Sequence, residues 1–164
     1  MLLWDGERRI VHITVAAANG GAVPENSRLR GNLRSAIGAA CDPTQRFLVD
    51  SYKPLTFRLT VKVKIDARYL ADKVQAAITS AVAQAFSFAR RAFGQAATAS
   101  EIIALIQRVE GVVYVDLESL QCVEKPSMKP PLIAEIAHWE NEVVKPGELL
   151  TLSTQPNSVQ VIVI

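Results

Sequence analysis

Histidine and cysteine are scarce in this chain, with two of each in 164 residues. His12 and His138 have no partner at metal-ligand spacing, so a zinc-type site has no framework. Cys41 and Cys122 lie far apart without a CxxC motif, and both are expected to be free, reduced and incidental. Long apolar runs are also lacking. Lys, Arg or Gln interrupts each one before membrane-spanning length, which excludes a transmembrane helix. The opening residues, Met1-Leu2-Leu3-Trp4-Asp5-Gly6, lack the basic region and apolar core of a signal peptide, so a cytoplasmic origin is expected. The net charge of +2 is too small for a typical nucleic-acid binder. Hydrophobic residues at 49% and charged residues at 21% describe a folded chain with a real core.

Catalytic signatures are absent as well. There is no GxSxG elbow, neither cysteine has a catalytic context, and Asn19-Gly20-Gly21 is a turn signal rather than a phosphate cradle. Asp50 and Asp66 are the candidate paired carboxylates, but a strand end and a helix start make capping or turn roles the expectation. His12 falls on the polar side of an alternating strand and is expected at the surface. His138, before Trp139, has no evident role. No enzyme activity, cofactor or metal is expected.

Periodicity organises the rest. Asp5-Gly6 is a favoured hairpin dipeptide between two strand-like pieces, the second alternating Val11, Ile13 and Val15 against His12 and Thr14. Helical spacing follows, with Leu29, Leu33, Ala36, Ile37 and Ala40 on the expected apolar stripe and Arg28, Arg30 and Arg34 opposite. Asn26 or Ser27 is the expected cap, and Asp42-Pro43 the stop. Phe47 to Tyr52 is a short strand. From Leu55 to Ile65 the alternation is cleanest: Phe57, Leu59, Val61, Val63 and Ile65 point one way, while Arg58, Thr60, Lys62 and Lys64 point the other. An alanine-rich helix is expected over 69–90. A second helix begins near Thr98 or Ser100, with Glu101 at capping-box spacing, and Gly111 ends it. Val112 to Leu120 alternates again, with Val113, Val115 and Leu117 opposed to Tyr114, Asp116 and Glu118.

This order predicts an α+β fold, a ferredoxin-like split βαβ two-layer sandwich over residues 1–123, with its second sheet face uncovered. Residues 124–164 are expected to form a Pro-containing linker and a strand extension. Within it, Leu132 to Trp139 has helical character, and Glu148–Leu152 is expected to pair with Val159–Ile164 as a β-hairpin. No internal repeat is visible.

Two surfaces stand out for interaction. Arg58, Lys62 and Lys64, set against Tyr114, Asp116 and Glu118, form either a self-compensated solvent face or a charged protein–protein surface. Nucleic acid is the weaker option, because that strand's outward positions carry no stacking aromatics. Val159, Val161 and Val163 belong either to an internal hairpin strand or to a strand that adds to a partner.

Several segments together resemble one family, the baseplate J-like proteins. The similar residues include Val11-His12-Ile13-Thr14-Val15-Ala16 with Gly20-Gly21, then Asp42-Pro43 and Ser51-Tyr52, then Phe57 to Asp66. The likeness continues through Ala85-Phe86-Ser87-Phe88, Arg91-Ala92-Phe93-Gly94-Gln95, Ser100-Glu101-Ile102-Ile103 and Gly111-Val112-Val113, and ends in Pro146-Gly147-Glu148-Leu149-Leu150-Thr151-Leu152. It spans residues 8–155 and is closest to baseplate assembly proteins of contractile phage tails and phage-tail-like injection systems. Members are longer, so the chain resembles a C-terminal part. The resemblance implies structural work in the baseplate wedge, in multiple copies about a symmetry axis. Implied partners are other wedge subunits, the spike and hub, and the base of sheath and tube. The place implied is the cytoplasm during assembly and then a phage-tail-like particle or virion. The alternative is a ferredoxin-like small-molecule-binding or regulatory domain, using the crevice between sheet and helices or a dimer interface.

Overall fold

The computed structural model describes residues 1–4 and 9–164; the expected Asp5-Gly6 turn lies outside them. The elements, in chain order, begin with β1 (Leu2–Trp4), β2 (Arg9–Val15), α1 (Arg28–Ala40), β3 (Arg46–Ser51) and β4 (Lys53–Ile65). They continue with α2 (Ala71–Ala85), α3 (Ala99–Gln107), β5 (Val112–Cys122), β6 (His138–Glu140), β7 (Val143–Lys145), β8 (Glu148–Leu152) and β9 (Val159–Val163). The fold is α+β, as the sequence predicts, but its strands divide between sheets differently.

β1, β2 and β3 form one sheet in that order, with β1 antiparallel and β3 parallel to β2. A second sheet is built on β4, which has β5 antiparallel along one side and β8 and β9 parallel along the other. The expected single ferredoxin-like sheet does not form. Its topology needs a hairpin between the second and third strands, and only Tyr52 separates β3 from β4. One residue is too short a connection for a chain reversal, so the backbone runs onward into the next sheet.

The expected hairpin of 148–152 with 159–164 is likewise replaced. β8 pairs with Lys53–Phe57 and β9 with Leu59–Val63, one after the other along the same side of β4. Both run parallel to β4, so they share a direction and do not pair with each other. At thirteen residues, β4 is long enough to hold both in succession.

The core follows the alternation of β4. Leu55, Phe57, Leu59, Val61 and Val63 are at most 1% exposed and meet Val74, Ile78 and Val82 of α2 and Ile102 and Ile106 of α3. Burial of each such side chain contributes about 1.5–3 kcal/mol. Thr98 caps α3 by accepting a hydrogen bond from the Glu101 N–H at 3.1 Å, while the Glu101 carboxylate reaches out to Arg91 at 2.7 Å. α3 ends at Gln107 with Arg108 right-handed, so Gly111, expected as its left-handed stop, instead lies four residues further on, at φ +90° in the turn into β5. The alanine-rich helix is shorter than its pattern: α2 ends at Ala85, and a separate 3-10 turn covers Phe88–Arg90.

Two further departures occur after β5. Residues 132–137 are not helical, and Ala97 and Leu132 exchange main-chain hydrogen bonds of 2.9 and 3.0 Å. Leu132 and Ala134 join the same core cluster as β4, so that core draws on residues from both sides of position 123. Glu148 closes this region. Its carboxylate, 3% exposed, accepts from Lys125 Nζ at 2.8 Å and from the Glu135 N–H at 3.1 Å. Lys53 Nζ adds a third contact at 3.1 Å.

Candidate interaction surfaces

The pleat that buries Phe57 and Val61 sends Arg58, Thr60, Lys62 and Lys64 to the opposite face of β4. On β5 the register sets Lys62 beside Asp116 and Lys64 beside Tyr114. A shift between Thr60 and Val61 makes room for Glu118 in the β5 ladder, and a second lies next to Ile65. These irregularities break the expected alternation of β5: Val115 and Leu120 are buried, but Val113 is 53% exposed. Tyr114, Asp116 and Glu118 are exposed on the same face as the β4 cations.

The face is partly self-compensated. Lys62 Nζ reaches Glu118 Oε1 at 2.9 Å; that hydrogen bond and charge, with Asp116 nearby, push the Lys62 ammonium pKa upward. Arg58 and Lys64 are exposed and, among the described residues, have no ion-pair partner. The two helices lie against the other face, so this one offers two unneutralised cations, an acidic flank and an exposed tyrosine. On the helix side Phe57, Phe86, Ile78 and Ile102 are each at most 1% exposed, and a cavity of about 490 Å³ is lined by Thr79 and Ala83 of α2 and Thr151 and Leu152 of β8.

The three valines of the terminal strand point to the helix side of the sheet. Val159 and Val161 are half-buried against the core, whereas Val163 is 41% exposed. Their side chains therefore support the sheet of their own chain. The other side of β9 has no strand beside it among the described residues.

A polar cluster that the sequence did not reveal lies in the first sheet. His12 is 1% exposed, contrary to its expected surface position, and its Nε2 lies 2.8 Å from Asp50 Oδ2. Asp50 Oδ1 accepts from Arg30 Nη2 at 2.7 Å. Arg30, expected on the wet side of its helix, is 9% exposed and is the buried residue of α1, while Leu29 of the expected apolar stripe is 55% exposed. Ser27 caps α1 as expected, accepting from the Arg30 N–H at 3.2 Å. Arg30 turns inward on the same side of α1 as Leu33 and Ile37, the half-buried members of the expected stripe, and the Asp50 ion pair satisfies its charge. Asp50 is thus a bridge between β2 and α1 rather than a turn group.

The other ring nitrogen, His12 Nδ1, lies 3.5 Å from Thr14 Oγ1, which also accepts from the Gly147 N–H at 3.1 Å. Both His12 and Thr14 border a cavity of about 320 Å³ shared with Phe93 and Ile136. With the carboxylate shared by Arg30 and the hydroxyl engaged by Gly147, these groups tie α1, the first sheet and the 147 turn together. Asp66 is a turn group as expected: its carboxylate pKa falls to about 2, first because Arg68 hydrogen-bonds it. No group of three or more His, Cys, Asp or Glu with metal-site geometry occurs among the described residues, and none of their helices is long and apolar enough to cross a membrane.

Residues 1–50 match the family model of the Baseplate J-like central domain. That segment runs from β1 to Asp50 and so contains all three members of the His12–Asp50–Arg30 cluster. No curated protein matches the chain. The match covers residues 1–50 of the 164, less than a third of the chain.

Proposed function

We propose that this baseplate J-like chain is a non-enzymatic structural component of a contractile-tail or injection-system baseplate, working in the wedge. Its work is to hold neighbouring subunits around the spike and hub and at the base of the sheath and tube. The carrying observation is the match of residues 1–50 to the Baseplate J-like central domain. The outer face of β4 and β5 fits the role, since Arg58, Lys64 and Tyr114 leave charge and an aromatic ring open to a partner. Tyrosine and arginine are residues that anchor protein interfaces, and a charged rim sets register and encounter rate more than affinity. The chain would enter the particle from the cytoplasm during assembly, in several copies related by symmetry.

Quantitative mass spectrometry of purified, assembled particles tests this. The chain should sediment with sheath, tube and spike proteins in a constant molar ratio through successive density gradients. Its absence from intact particles that contain those proteins would overturn the proposal.

A further inference from the structure

The parallel register of β9 determines where its main-chain groups point. Leu59 N–H donates to Ser158 O at 2.9 Å, and Ile164 N–H donates to Val63 O at 3.1 Å. In a parallel ladder this places the N–H and C=O groups of Ser158, Gln160, Ile162 and Ile164 toward β4. Those of Val159, Val161 and Val163 then point away from it. They form a regular row of donors and acceptors on an edge with no strand beside it among the described residues.

Sheet edges of soluble proteins are usually blunted by charge, proline, a bulge or short length. β5 carries Asp116 and Glu118 and two register irregularities, β1 is three residues long, and the outward side of β8 is covered by main-chain bonds to Gly94, Glu135 and Phe86. β9 has none of these devices. Val159-Gln160-Val161-Ile162-Val163-Ile164 contains no charged side chain, proline or glycine, and Ile162, Val163 and Ile164 are 41, 41 and 60% exposed.

We propose that this edge pairs with β9 of a second copy of the chain, antiparallel and about a twofold axis at Val161. The occupant is argued from charge and register. The paired residues Val159–Val163 have no ionisable side chain, so two copies of the strand pair without desolvating a charged side chain, and the Ile164 main-chain terminus lies outside the paired segment. Centred on Val161, the outward groups are self-complementary. Val161 faces its symmetry mate and Val159 faces Val163 of the other copy, each pair exchanging two main-chain hydrogen bonds. The second sheet then runs continuously through both copies, and Ile162 is covered on the outer face. An edge contact of this kind falls at the small end of protein interfaces, below about 1,200 Å², so the dimer is reversible. This inference rests on treating the chain as an assembling part and names its partner at β9 as another copy of itself.

Sedimentation velocity of the purified full chain, with hydrogen exchange at low and high concentration, tests it. The mass should rise from 17.9 kDa toward twice that value as concentration increases. Exchange at the Val159, Val161 and Val163 amides should slow in parallel. Val163→Pro should keep the mass at that of one chain; its N–H faces away from β4, so no bond within the sheet is lost. Ile162→Lys should weaken association by at least tenfold through like charge near the axis. A single-chain mass at every concentration, or exchange at these amides unaffected by concentration, would overturn the proposal. So would dimers unchanged in Val163→Pro. Should that variant unfold, the wild-type exchange data decide. Failure of self-association leaves sedimentation with assembled particles untouched, so the two proposals fail separately.

Discussion

Replacing Asp50 with alanine removes the carboxylate shared by Arg30 and His12 and leaves the buried Arg30 guanidinium only the exposed Glu25 carboxylate, 3.8 Å away. Breaking a well-buried ion pair from one side costs about 3–5 kcal/mol, mostly as the desolvation of the charge left behind. The Asp50 side chain is 32% exposed, so water reaches part of the site and the cost falls to about 2–3 kcal/mol. For a chain of this size that lowers the melting temperature by about 4–10 °C. The loss should be local first. Arg30 is the buried residue of α1, so amide exchange in 28–40 should accelerate more than exchange in α2 or α3. Arg30→Met combined with Asp50→Ala removes the stranded charge and should lose less than the two single variants summed, with a coupling of at least about 1 kcal/mol. Urea denaturation followed by circular dichroism measures the energies, and hydrogen exchange locates them. A cost below about 0.5 kcal/mol with unchanged exchange in α1 would refute the view that this cluster anchors the helix.

Three further predictions concern other parts of the fold. Burial alone would raise the Glu148 pKa, but Lys125, the Glu135 N–H and Lys53 outweigh it and hold the carboxyl below its ordinary value of 4.5. A lowered folded-state pKa gives stability that is fully present above 4.5 and fades as pH falls through the folded value. Glu148→Gln should therefore cost about 2–3 kcal/mol at pH 7 and progressively less below pH 4.5 in urea titrations. Gly111→Ala should cost about 1–3 kcal/mol, because φ is +90° and the new Cβ would lie 2.8 Å from Tyr69 Cγ; Tyr69→Ala in the same chain should restore only part of that loss. Glu118→Gln should change stability by less than about 1 kcal/mol, since its bond to Lys62 is exposed, and should lower the Lys62 pKa in an NMR titration.

The parts legible in the sequence are those governed by neighbours along the chain. The alternation in 55–65 and the Ser27 and Thr98 caps each depend on spacings of a few residues, and the structure holds them. Sheet partnership was not legible from such patterns. An alternating strand states which side is buried but not which strand lies beside it, and the sequence gives no local sign that β8 and β9 share one side of β4. The Tyr52 connection was the available clue, because a single residue between two strands rules out a hairpin. The buried cluster escaped for a related reason. His12, Arg30 and Asp50 lie up to 38 positions apart, and each alone resembles a solvated polar residue. The exposed charges of β4 and β5 were legible because they are the remainder of a clear apolar pattern.

The most direct test of the structural role is binding of the purified chain to baseplate subassemblies that lack it, comparing wild type with an Arg58→Glu/Lys64→Glu variant. Both positions are exposed, so the variant should fold with the wild-type urea midpoint. Wild type should bind saturably, and the variant at least about tenfold more weakly, equivalent to about 1.4 kcal/mol. Equal binding by the two proteins, or no binding by wild type, would contradict the account.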